Sequence, residues 1–260
     1  MPARYNVLGV GVSALTFAQA RDLIVGVHGT LRRGYVCVTS VHGIIESQDD
    51  PAMKAIHNAA WLVTPDGKPL VWLGPRGVER VYGPDLMLAV CDAGRAVSLT
   101  HYFYGGAPGV TETLQARLTA RFPGLAVVGQ FTPPFRSLTA GELSALRADV
   151  AQARPDVVWI GLSTPKQERF VAAHWRELDA GVLIGVGAAF DFHSGRLRQA
   201  PRWMQRSGLE WLFRLCMEPR RLGTRYLHNN PRFVALALLQ RLGLRRDPLA
   251  LRGIDDPARL

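Results

Sequence analysis

Short runs of β-branched and aromatic residues recur along the chain, separated by longer stretches whose apolar positions repeat at helical spacing. Residues 7–10, 36–39, 61–64, 98–104, 126–131, 157–161 and 182–186 read as strands. Helices are expected over 50–60, 85–93, 109–121, 139–153 and 165–178, with Pro or Gly at many of their edges. At the start, 5–10 reads as a short buried strand and Gly9 and Gly11 as its tight exit. Ser13 or Thr16 then caps a helix carrying Ala18, Ala20, Leu23 and Ile24. Arg4, the apolar residues 7–15 and the small-residue triplet Ala18-Gln19-Ala20 imitate a secretory signal, but a strand followed by a capped helix accounts for them better. Strands alternating with helices give an α/β fold built on a mostly parallel sheet. No apolar run reaches the roughly 20 residues that cross a bilayer, and residues 233–239 are long enough only to lie on one.

In open parallel sheets, ligands bind beyond the carboxyl ends of the strands. The residues that follow each strand here are polar and rich in glycine: Thr39, Ser40 and His42; Thr64-Pro65-Asp66-Gly67; and 104–109, 161–168 and 185–192. These five loops are expected to converge on one cleft. Asp66 is the candidate general base, since Pro65 restricts the backbone before it and Gly67 admits a substrate, although Pro-Asp-Gly is also a common turn. Gly105 and Gly106 lead from a strand into a helix, as a diphosphate cradle or as a plain connection. Lys166 and Gln167 can donate to sugar hydroxyls or phosphate oxygens, with Glu168 as a helix-start acid. Arg80, Gly83 and Asp85 divide between ligand contact and helix capping, and His42 between cleft lining and a structural role.

Composition narrows the chemistry. The chain of 260 residues is 48% hydrophobic, enough for one sizeable α/β domain. Cys37, Cys91 and Cys216 are scattered and odd in number, which points to a reducing compartment, and seven histidines form no HExxH, so no metal site is expected. The formal charge of +10 is concentrated late: residues 196–246 hold twelve arginines against two acids, Glu210 and Glu218. There Trp203, Trp211, Leu212 and Phe213 alternate with Arg202, Arg206 and Arg214, a pattern suited to a phosphate-bearing or membrane-surface partner. The expected division is a catalytic domain over 1–198 and a basic, amphipathic helical appendage over 199–260. Truncation after about Arg198 is expected to leave a folded core.

Five ordered segments then make the chain recognisable: 64–67, Arg80-Val81-Tyr82-Gly83-Pro84-Asp85-Leu86, 161–168, 185–192 with Gly187 and Asp191, and Ala200-Pro201-Arg202-Trp203-Met204-Gln205-Arg206. Over nearly its whole length the sequence resembles the WecG/TagA/CpsF glycosyltransferases, glycosyltransferase family 26. The resemblance implies a Rossmann-like enzyme, inverting and metal-independent, without cofactor, that moves a hexosyl or N-acetylhexosaminyl group from a UDP-sugar to an undecaprenyl-diphosphate-linked acceptor in cell-surface polysaccharide synthesis. It places the family's catalytic aspartate on Asp66, its strand-end threonine on Thr39 and its glutamine on Gln167. Arg214, Arg221 and Arg225 match the appendage arginines that meet the donor diphosphate. Where many members carry an asparagine two residues after the threonine, this chain has Val41.

The mechanism expected is a single displacement in which Asp66 deprotonates the acceptor hydroxyl and arginines stabilise the departing diphosphate. A DxD motif is absent, Asp49-Asp50 being the nearest approach. The implied setting is cytoplasmic, peripheral on the inner face of the cell membrane, with an anionic lipid surface as partner and a homo-oligomer compatible. The alternative is a non-enzymatic nucleotide- or nucleic-acid-binding protein. Against it, no nucleic-acid motif is present and the charge is local. A nicotinamide oxidoreductase would need the GxGxxG that is missing.

Overall fold

The computed structural model describes residues 1–249, with the side chain of residue 221 left out. It opens on a hairpin, β1 (Arg4–Val7) and β2 (Val10–Ser13), which is separate from the main sheet. This corrects the expectation of a strand over 7–10: Leu8 and Gly9 take φ of 53° and 82°, so the chain turns back there, and the Asn6 side chain accepts the Gly9 N–H at 2.7 Å. Arg4 donates to the main-chain oxygens of Asn58, Ala60 and Trp61, which docks the hairpin on the rest of the fold. Next comes α1 (Phe17–Val25), capped by Thr16 in a reciprocal pair with Gln19.

The chain then runs β3 (Gly34–Thr39), α2 (Val41–Asp49), α3 (Pro51–Ala59), β4 (Leu62–Pro65), α4 (Lys68–Leu73), α5 (Gly83–Gly94), β5 (Thr100–Gly105), α6 (Val110–Arg121), β6 (Ala126–Phe131), α7 (Ala140–Ala153), β7 (Val157–Gly161), α8 (Lys166–His174), β8 (Val182–Gly185) and α9 (Ala189–His193). Six strands form one parallel sheet in the order β4-β3-β8-β7-β5-β6. Helices cover both of its faces, a Rossmann-like α/β arrangement. Alternation along each strand explains why the strand sequences read as continuous apolar runs. Val36, Val38, Phe103, Trp159 and Ile184 pack into one core, while Tyr35, Cys37, Tyr102, Tyr104, Val158 and Leu183 pack into the other.

Helix α2, absent from the helices expected above, starts immediately after Ser40. Val41 and Gly43 weaken its intrinsic propensity, and burial of Ile44 and Ile45 supplies the compensation. A Cβ at Gly43 would lie 3.2 Å from Thr39 and 3.4 Å from the buried His57 ring, so the close packing of α2 on α3 and β3 needs glycine.

The tail forms α10 (Arg202–Ser207), α11 (Glu210–Met217) and α12 (Pro219–Arg241). It is packed on the fold rather than loosely attached. Phe233 and Ala237 of α12 join the second core, the Gln240 side chain accepts the Leu8 N–H at 3.0 Å, and Asn6 donates to the Asp247 carbonyl at 2.6 Å. Several tail arginines fasten it: Arg202 to Asp85 at 2.7 Å, Arg232 to Asp49 at 2.6 Å, and Arg245 to the Gln48 side chain at 2.9 Å. Among the described residues no helix is long and apolar enough to cross a membrane.

Candidate active site

The carboxyl ends of β3, β4, β5, β7 and β8 open into a cleft of about 1710 Å³, closed on its far side by α11 and α12. Asp66 sits one residue beyond β4. Its N–H donates to the Thr39 carbonyl at 2.9 Å, which continues the β3–β4 ladder past the strand end, and the Val81 N–H binds the Pro65 carbonyl at 2.8 Å. Arg80 clamps the turn from the other side, its Nε donating to the Asp66 carbonyl and its Nη2 to Glu210 of α11 at 2.6 Å. The guanidinium lies over the Tyr82 ring, 4.2 Å from its centroid, and 3.6 Å from Asp66 Oδ1.

The Asp66 side chain remains 25% exposed, and Asp66 faces the cleft. Crowding by its surroundings nevertheless pushes the carboxyl up to about 6. Burial is the main cause; Arg80 opposes it, Glu210 adds to it and Arg214 opposes it. A carboxylate reachable from a cleft and titrating near neutrality is suited to accept a proton from a hydroxyl.

The remaining sequence candidates divide in two. His42, Arg80, Gly83, Gly106, Lys166, Gln167, Gly187, Asp191, Arg214 and Arg225 line the same cleft as Asp66. Thr39, Asp85 and Gly105 do not. Thr39 is 2% exposed and acts through its main chain on Asp66, its hydroxyl lying 3.4 Å from the Cys37 carbonyl. Asp85 is in the first turn of α5 and is occupied by Arg202. Gly105 has φ of 128°, and a Cβ there would lie 2.6 Å from the Gly161 carbonyl oxygen, so its glycine serves the contact between β5 and β7. The Gly106 N–H also goes to Gly161 O, at 3.1 Å, rather than to the cleft. The side chain of Arg221 lies outside the described residues.

Gln167 is 3% exposed and works as a strut: its Oε1 accepts the Gly187 N–H at 2.9 Å and its Nε2 donates to Glu168 at 3.0 Å. Burial holds Glu168 above the usual carboxylate range. His42 meets the Asn229 side chain of α12 at 2.8 Å and is pushed down to about 4, first by burial and then by Arg225, which leaves it neutral at physiological pH. Asp191 pairs with Arg196 at 3.6 Å. Arg214 stands 6.0 Å above the Phe192 ring.

Sequence reasoning missed Glu210, Tyr82, Asn229 and the apolar wall of the cleft, formed by Leu73, Leu138, Leu143, Phe170, Phe233 and Ala237. The rarity of acids in the tail was the one available signal for Glu210. The others required knowing that α11 and α12 fold back over the strand ends.

The family model described as "Glycosyl transferase WecG/TagA/CpsF family" matches residues 5–247. One relative, an N-acetylglucosaminyldiphosphoundecaprenol N-acetyl-beta-D-mannosaminyltransferase of Bacillus spizizenii, is 27% identical over 197 residues, covering 74% of this chain and 74% of its own. A protein of the same description from Bacillus subtilis is 26% identical over 161 residues, covering 60% of this chain and 61% of its own. With a strand-end carboxylate facing a cleft roofed by basic helices, and with a family match that runs from the first hairpin through α12, the chain belongs to the WecG/TagA/CpsF family of glycosyl transferases.

Proposed function

We propose that the protein transfers an N-acetylhexosaminyl or hexosyl group from a UDP-sugar to a polyprenyl-diphosphate-linked glycan, with inversion and without a metal ion. The observation that carries this reading is Asp66, open to the cleft, pushed up to about 6 and flanked by Arg80 of the core and Arg214 of the tail. Asp66 removes the proton from the acceptor hydroxyl, the oxygen attacks the anomeric carbon, and the bond to the diphosphate oxygen breaks. Arg214 and Arg225, which line the cleft, together with Arg221, offset the charge that grows on the departing UDP. Lys166 and Asp191 supply polar contacts to the donor sugar. Thr39 holds Asp66 in register through its carbonyl, and Gln167 holds the Gly187 loop.

Two features favour a lipid-linked acceptor. The wall of Leu138, Leu143, Phe170, Phe233 and Ala237 offers an isoprenoid chain a surface continuous with the catalytic carboxylate. The relatives named above are described as acting on N-acetylglucosamine linked to undecaprenyl diphosphate. In this reading the appendage expected over 199–260, of which 250–260 lie outside the described residues, completes the donor site and rests on the inner face of the cell membrane.

The test is Asp66→Asn, assayed by UDP release with a lipid-diphosphate-sugar acceptor. Turnover should fall roughly 10²–10⁴-fold, the range for loss of a general base. The melting temperature should be no lower than that of the parent, because an amide carries no buried charge. Near-normal turnover would remove Asp66 from the role.

A further inference from the structure

Glu210 is one of two acids among twelve arginines in residues 196–246, and it is 8% exposed. A carboxylate buried in this way is tolerable only if paired. Its partner is Arg80, a residue of the core rather than of the tail. The 2.6 Å bond from Arg80 Nη2 to Glu210 Oε2 is short, whereas the same nitrogen stands 3.6 Å from Asp66 Oδ1, beyond hydrogen-bond reach. Asp66 Oδ1 accordingly has no hydrogen-bond partner. The other groups of Arg80 are held in place, with Nε on the Asp66 carbonyl, Nη1 3.4 Å from the Gln205 carbonyl, and the face of the guanidinium on Tyr82. One guanidinium is thus shared between two carboxylates, and it leans toward the one supplied by α11.

We propose that Glu210 is a positioning residue for the transfer reaction: by drawing the Arg80 guanidinium to itself, it leaves the buried Asp66 Oδ1 without a hydrogen bond and so keeps the carboxylate basic enough to receive the acceptor proton. The proposal rests on Asp66 as base. It makes the seating of α11 a condition for an active carboxylate, a role distinct from the delivery of arginines to the donor.

The charges around Asp66 fix the direction of the effect. Arg80, from the segment before α5, and Arg214, from α11, lower its proton affinity, and Glu210 is the one anion that raises it. Tyr82 beneath Arg80 and Lys68 at the start of α4 are further titratable groups on the cleft wall. With Glu210 neutralised, Arg80 is free to close on Asp66 Oδ1 at the roughly 2.8 Å of a charge-assisted bond. Asp66 would then stay ionised to lower pH and become the weaker base.

The test compares the parent chain with Glu210→Gln and Glu210→Asp, following the Asp66 carboxyl by carbon-13 NMR of aspartate-labelled protein, with the signal assigned by its loss in Asp66→Asn. In Glu210→Gln the titration should move down by roughly 0.5–1 pH unit. The acid limb of kcat/KM should follow it, and kcat should fall about 3–10-fold with KM for the sugar donor little changed. Glu210→Asp keeps the charge one methylene farther from Arg80 and should fall between the two. A helix-docking role alone would lower activity without moving the titration. An unmoved Asp66 titration in folded Glu210→Gln, or in Glu210→Asp should the amide variant fail to fold, overturns the proposal. The NMR measurement needs no turnover, so its failure is separable from failure of the base reading, which the activity of Asp66→Asn decides.

Discussion

Asp66 must be crowded enough to hold a proton near neutral pH and open enough to take one from a substrate. Its main chain is fixed, with the N–H on Thr39 and the carbonyl on Arg80, and burial around the side chain meets the first demand. The folded carboxyl is pushed up to about 6, above the ordinary aspartate value of 3.8, so turnover should require pH above about 6 and decline as pH falls through it. A kcat/KM profile with its acid midpoint near 6, absent from any residual activity of Asp66→Asn, is the expected result. Stability runs the opposite way. A raised carboxyl favours the protonated folded state, so the destabilising charge present above about 6 is relieved as pH drops from 6 toward 3.8. His42, pushed down to about 4 by burial and Arg225, is neutral near pH 6 and adds no second limb there. Pro-Asp-Gly at a strand end was legible in the sequence; the Arg80 clamp that distinguishes it from an ordinary turn was not, because its partners are 14 and 130 residues away.

At the scale of elements, the order from β3 to β8 follows the alternation read from the sequence because the inner strands are buried on both faces and the helices between them on one. The periodicity therefore survives in a single chain read by itself. The failures are at the hairpin, at α2 and at the short helices α4 and α9. A run of apolar residues interrupted by Gly9 reads as one strand, but left-handed Leu8 and Gly9 fold it into two. Helix α2 has poor local credentials and exists through its contacts with α3, β3 and α12. The last of these contacts can be tested. Phe233 is 4% exposed, belongs to the second core and also lines the cleft. Phe233→Ala should cost about 3–5 kcal/mol, the range for truncating a buried phenylalanine, read from urea unfolding monitored by circular dichroism. A cost below about 1 kcal/mol would mean that α12 is not part of the cooperative fold.

For the molecule as a whole, the tail has two faces with different work. Its inner face carries Glu210, Arg214, Asn229 and Phe233 into the cleft, and Arg202 and Arg232 bind core acids. Removal of everything after Arg198 therefore uncovers part of the second core, and a marked loss of stability is the outcome the packing implies, in contrast to the intact core expected from sequence. Its outer face exposes Trp203, Leu212, Met217 and Leu227 among the remaining arginines. Vesicles rich in anionic lipid should bind the protein at low salt and release much of it as ionic strength approaches 0.5 M, measured by co-sedimentation. Binding that ignores both salt and lipid charge would contradict the electrostatic part of this reading. The α/β class, most strand positions, the strand-end loops and the family motifs are local in the chain, set by spacing and residue type, and so stood in the amino-acid order alone. The pairing of Glu210 with Arg80, the retreat of Thr39, Asp85 and Gly105 from the cleft, and the fate of each tail arginine were settled only by folding. A charge acts through distance in space, and the distances that matter here join residues more than a hundred positions apart.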